Sequence, residues 1–240
     1  MQEDESKRSD GRSSTGLEGL DGTGSDMTRL VSVSDGVFAF SLTFLVIELV
    51  IPAASANGTY PNLANYLQRQ QTALEAYVLA FWIIASWWSS HRRLFSPIVR
   101  YDETLTRLNT LFLMIIAITP FLVGILAEYG AGANLNPGTQ STQVAVALYA
   151  AIQGIGGLIL FAIWRHSTRN HALVRPNLPA SWIRATERAQ LAPIMVFLVS
   201  IPIAFVAPFV SEVLWILVIV GLRHVLIRKV RPARDRLPEG

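Results

Sequence analysis

The chain has 240 residues, of which 51% are hydrophobic and 15% charged, with a mean hydropathy of +0.39 and a formal net charge of +3. That balance is too apolar for an ordinary soluble domain and points to a membrane protein. No cysteine is present, which excludes disulfides and thiolate metal sites.

Residues 1–28 are polar and rich in Ser, Gly and Asp. They lack the basic flank and apolar core of a signal peptide and are expected to form a disordered cytoplasmic tail. Residues 29–230 contain six stretches that approach the roughly 20 apolar residues a membrane-spanning helix needs. They run Leu30–Ile51, Thr72–Phe95, Thr104–Ala127, Thr142–Trp164, Leu191–Phe209 and Glu212–Val230. The expected fold is an all-α membrane protein with six transmembrane helices, closed by a basic cytoplasmic tail at 231–240. Pro193, Pro202 and Pro208 interrupt the fifth helix, and the turn at Pro208–Glu212 predicts a tight antiparallel hairpin with the sixth. The loops Pro52–Gln71 and Glu128–Ser141 read as poor in elements.

Lys and Arg give an independent test of topology. With both termini in the cytoplasm, the inside segments hold Arg92, Arg93, Arg100 and Arg107, then Arg165, Arg169, Arg175, Arg184 and Arg188, together with the basic residues of both tails. Of 20 basic residues only Arg69 falls outside. This asymmetry obeys the positive-inside rule, so the net charge reflects membrane orientation and does not signal nucleic-acid binding. The sequence therefore predicts a multi-pass protein of the cytoplasmic membrane.

Other patterns do not lead to chemistry. Tyr129-Gly130 lacks the Thr-Val-Gly lead-in of a potassium-channel filter. Gly154, Gly156 and Gly157 lie inside the fourth span, where small residues let helices approach. His91, His166, His171 and His224 have no metal-ligand spacing, and no nucleophile elbow is present. Neither an enzyme, a cofactor nor a small-molecule substrate is expected.

The first span, "RLVSVSDGVFAFSLTFLVIEL", keeps two acids and several hydroxyls. Helix offsets of four, seven and eleven residues turn by about 40°, −20° and 20°. Phe40, Phe44, Ile47 and Ile51 therefore share one stripe, and Thr43 lies about 60° to its side. Asp35 lies about 140° from Phe40, so it faces neighbouring helices, as a costly intramembrane acid normally does. Its candidate partners are Trp87, Trp88, His91, Arg92 and Arg93 at the end of the second helix, and Arg107 or Asn109 at the start of the third. Asp35 could instead complement the helix dipole at the interface. Thr43 either faces a pore or bonds the carbonyl of Ala39 in its own helix. Glu48 either enriches cations at an outer mouth or snorkels to the outer interface.

Arg29-x-x-x-Val33-Ser34-Asp35, continued by Gly36-Val37-Phe38-Ala39 and ending Leu45-Val46-Ile47-Glu48-Leu49, closely resembles the first-helix signature of the transmembrane protein 175 family of potassium channels. The motifs "WWSSHRRLF" and "LNTLFLMIIAITPF" are similar to the family's second and third helices. The resemblance covers roughly residues 29–230 and implies a homotetramer with the first helices around the pore and no conventional filter loop. It implies a pore constriction at Phe40 with further rings at Phe44 and Ile47, and a hydroxyl selectivity layer at Thr43. It also implies a structural or gating network of Arg29, Ser34 and Asp35 with Trp87 or Trp88 and His91. Two residues depart from the family pattern: Val33 replaces the usual Phe, and Phe40 is bulkier than the usual Ile or Leu. The expected function is a potassium-permeable channel with Glu48 near its outer mouth, and the runner-up is a secondary cation or proton-coupled transporter.

Overall fold

The computed structural model describes residues 24–49, 62–130 and 139–216. Helix α1 spans Gly24–Phe44 and tightens into a 3-10 turn at Leu45–Glu48. It begins five residues inside the expected tail, because backbone hydrogen bonding continues past the apolar stretch into polar residues. Helix α2, Leu63–Arg69, lies within the expected loop Pro52–Gln71. The Asn62 side chain caps it by accepting the N–H groups of Ala64 and Asn65 at 2.9 and 3.4 Å.

The long helices follow. Helix α3 is Gln71–Phe95, α4 is Glu103–Tyr129, α5 is Gln140–Thr168 and α6 is Ala180–Ala204. Asp102 caps α4 by accepting the Leu105 N–H at 2.7 Å, and Thr139 caps α5 through the Thr142 N–H at 3.3 Å. The described residues end within a helix, α7, that is helical over 208–216. The turn between α6 and α7 therefore lies at 205–207, ahead of the expected turn at 208–212. Pro208 opens α7 because its fixed φ and missing N–H suit a first helical turn. Trp215 Nε1 donates to Ser200 Oγ at 3.0 Å and Ser211 Oγ donates to the Ser200 carbonyl at 3.1 Å, which folds α7 back along α6. Most of the sixth predicted span lies outside the described residues.

Among the described residues four segments are long and apolar enough to cross a membrane: Met27–Ile47, Glu103–Tyr129, Gln140–His171 and Ala180–Ala204; the expected second span, now within α3, is not one of them. Helix α1 packs on α3 and α4, α4 packs on α5, and α5 packs on α6. The α5 glycines make these contacts possible. A methyl at Gly157 would meet Ile194 Cγ1 of α6 at 2.8 Å and Trp87 Cη2 at 3.1 Å, and one at Gly156 would meet Ile115 of α4 at 3.0 Å. Their role is close packing.

At one end of the bundle the α3–α4 and α5–α6 loops pair. The N–H groups of Val99 and Arg100 donate to the Leu173 carbonyl at 2.9 and 3.2 Å, and the Arg175 N–H donates to that of Pro97 at 3.0 Å. Ile98 and Val174 sit opposite each other in this pairing, both buried. His166 Nε2 lies 2.7 Å from Asp102 Oδ2, tying the end of α5 to the start of α4. The N-terminal half of α1 reaches this same end through its contacts with α3 and α4.

Candidate functional site

Helix α1 divides into two faces. Ser34, Phe38, Ser41 and Leu45, at offsets of four, seven and eleven residues, are all buried against the subunit. Opposite them Phe40 is 59% exposed, Phe44 41% and Ile47 61%. The Phe40 and Phe44 rings pack at a tilt with centroids 4.1 Å apart, forming a two-tier aromatic surface that points away from the chain's own core. Thr43 is exposed beside it and donates to the Phe40 carbonyl at 2.8 Å. The backbone bond considered for Thr43 thus exists, but it reaches back three residues instead of four. Its proton is committed to the helix, and the hydroxyl oxygen keeps lone pairs to offer. Glu48 ends the 3-10 turn, with its side chain outside the described ones, and Ile51 also lies outside.

The buried face of α1 is held by a chain of hydrogen bonds. Asn109 of α4 donates through Nδ2 to Ser34 Oγ at 3.0 Å, and Ser34 Oγ donates to the Leu30 carbonyl at 2.9 Å. Asn109 Oδ1 therefore faces His91 Nε2, 2.9 Å away, which must carry the proton. The imidazole is clamped between Phe95 and Phe112, with ring centroids at 4.1 and 5.8 Å, and Phe38 meets its edge. One turn along, Trp88 Nε1 donates to Asp35 Oδ1 at 2.8 Å. Asp35 is half-buried and Arg92 stacks over the Trp88 ring.

Of the candidate Asp35 partners, Trp88 bonds it directly, while Asn109 bonds the adjacent Ser34 and is itself bonded by His91. Trp87 belongs to a different set, since its Nε1 donates to Gln153 Oε1 of α5 at 2.9 Å. Gln153 Nε2 then donates to Thr119 Oγ1 of α4 at 3.3 Å. Arg93 bonds Ser90, and Arg107 pairs with Glu103. Arg29 and Val33 are exposed, and the ion pairs among the described residues do not include Arg29. The sequence reading missed Phe38, Ser41 and Gln153. The signal for Gln153 was available: one amide inside an apolar span must find a partner. Among the described residues no cluster of His, Asp or Glu is arranged to hold a metal ion.

Comparisons with known proteins bear on the family and the fold. Residues 29–120, which contain the brace and the exposed stripe, match the family model described as endosomal/lysosomal potassium channel TMEM175. A potassium channel of Streptomyces collinus is 35% identical over 159 residues, covering 66% of this chain and 73% of that one. The mouse endosomal/lysosomal proton channel TMEM175 is 24% identical over 127 residues, 53% of this chain and 25% of that one. The crystal structure of a lysosomal potassium-selective channel TMEM175 homolog from Chamaesiphon minutus superposes with a TM-score of 0.70 at 24% identity, covering 84% of this chain and 98% of that one.

Proposed function

The chain belongs to the TMEM175 family, a family of ion channels and not of enzymes, and from that premise we propose that it is a potassium-permeable channel. The observation that carries the reading is the division of α1. Its buried stripe is fixed to α3 and α4, while Phe40, Phe44 and Ile47 project from the subunit with the Thr43 hydroxyl beside them. Four copies arranged around an axis would enclose that projecting face as a pore. The Phe40 rings would form its constriction, by steric contact and dewetting. Phe44 and Ile47 would add apolar rings, and the Thr43 oxygens would replace part of a cation's hydration shell in place of a conventional filter loop. Glu48 would raise cation concentration at the outer mouth.

The Asp35–Trp88 and Ser34–Asn109–His91 contacts would keep α1 in this register, with Arg29 as an outlying member. Both termini would lie in the cytoplasm, because the end of the bundle that holds the paired loops also holds most of the exposed arginines. The bacterial relative supports placement in the cytoplasmic membrane of a prokaryote.

Liposomes holding the purified protein under a potassium gradient test the reading. Potassium flux that grows on Phe40→Ala and needs no counter-substrate is the expected result. Saturable exchange that requires a second solute would instead favour a secondary transporter. Protons are the competing permeant ion, because the mouse relative is named a proton channel. Reversal potentials in mixed potassium, sodium and proton gradients decide between them.

A further inference from the structure

The end of the bundle with the paired loops carries an excess of exposed guanidinium groups. Arg92 and Arg93 lie in the last turn of α3, Arg165 lies in the last turn of α5, and Arg100 and Arg175 flank the paired loops. Among the described residues the ion pairs are Arg107 with Glu103 and His166 with Asp102, so none of these five arginines is in one. Arg92 differs from the others. Its guanidinium carbon lies 5.0 Å from the centroid of the Trp88 ring, and the indole N–H of that same residue donates to Asp35 at 2.8 Å. Stacking on an aromatic face occupies the flat side of a guanidinium and leaves its N–H edge for an oxyanion.

We propose that Arg92 binds the phosphate of an anionic phospholipid headgroup and that this contact holds Trp88 in the orientation from which it donates to Asp35. The occupant is a membrane lipid because of depth. Helix α3 packs along α4, a span of 27 residues that is about 40 Å long, whereas the hydrocarbon core is about 30 Å thick, and the last turn of α3 lies beside the start of α4. That turn therefore reaches headgroup level, where tryptophan is also favoured. The phosphate restrains Arg92, Arg92 restrains the indole, and the indole restrains Asp35 on α1. Coupling to conduction rests on the channel reading; binding itself does not.

The full chain in detergent is titrated with phosphatidylglycerol or with phosphatidylcholine, and retained lipid is counted by native mass spectrometry. The wild type should retain phosphatidylglycerol preferentially. Arg92→Gln should lower that retention about fivefold, the effect of one basic residue at an anionic surface. Arg175→Gln, at the same end without an aromatic partner, should lower it clearly less than Arg92→Gln does. Equal losses in both variants, or none in Arg92→Gln, would overturn the site and leave the basic end as a mark of orientation only. Should Arg92→Gln not fold, Arg92→Lys keeps the charge without the planar stack, and undiminished retention in that variant would overturn the stacked geometry. Displacement of phosphatidylglycerol by equimolar inorganic phosphate would overturn the lipid assignment. For the coupling, potassium flux should depend on phosphatidylglycerol in the wild type and not in Trp88→Phe, which cannot donate to Asp35; identical dependence in both would refute it. A chain that retains the lipid but passes no potassium would sink the channel reading and leave the headgroup site standing.

Discussion

Asn109 joins two side chains that do not bond each other, His91 on α3 and Ser34 on α1. All three are fully buried, so removing the middle one strands a donor and an acceptor where water is scarce. Asn109→Ala should therefore destabilise the subunit by about 1–3 kcal/mol, read as an earlier unfolding midpoint in a detergent titration; an unchanged midpoint would show that the chain of bonds is dispensable. Asp102 gives a pH-dependent counterpart outside the membrane spans. Burial alone would push its carboxyl up, but the Leu105 N–H and His166 outweigh that and hold it below the usual carboxylate value of 3.8. A carboxyl depressed in the folded state stabilises it above the unfolded pKa, and that contribution disappears as pH falls through the lower folded value. Thermal midpoints of the wild type should thus decline below about pH 4. Asp102→Asn, still a good helix cap, should show a flatter decline.

At the scale of the element, α5 is defined by what it lacks. Gly157→Ala would drive a methyl to 2.8 Å from Ile194 and 3.1 Å from Trp87, neither of which is a flexible chain end. It should cost about 1–3 kcal/mol, and normal stability would mean that α5 and α6 can separate slightly without penalty. Gly36→Ala is the contrast, since a methyl there meets nothing within 4 Å in the chain.

Much of this is legible in the sequence. Rotation arithmetic separated Asp35 from the Phe40 stripe because both lie on one helix, and the glycines of α5 read as packing residues by type and place. Pairings such as Trp88 with Asp35, 53 residues apart, or Trp87 with Gln153, 66 apart, depend on which helices become neighbours. Periodicity within one helix carries no such information, so Trp87 and Trp88 could not be told apart. The α2 helix was a different kind of miss, since Asn62 ahead of Leu63 is a capping signal that a search for apolar spans passes over.

At the scale of the molecule, helices α1 and α6 occupy opposite flanks, α1 against α3 and α4 and α6 against α5. Each leaves an apolar face uncovered within the subunit, but the two faces differ in chemistry. On α6 the exposed residues include Leu191, Met195 and Val199, which suit lipid. On α1 an exposed hydroxyl lies beside two tilted aromatic rings, the surface that the proposed function turns toward copies of itself around a hydrated axis. The absence of native cysteine makes this directly testable. Neighbouring packed helices stand about 8–10 Å apart, so a short bis-maleimide reagent should link subunits through single cysteines placed at Phe40 or Ile47. The same reagent should leave a Met195→Cys variant unlinked in the same membranes. The reverse pattern, with linkage through position 195 and none at 40 or 47, would put α6 at the subunit interface and α1 against lipid, and the pore would have to be sought elsewhere.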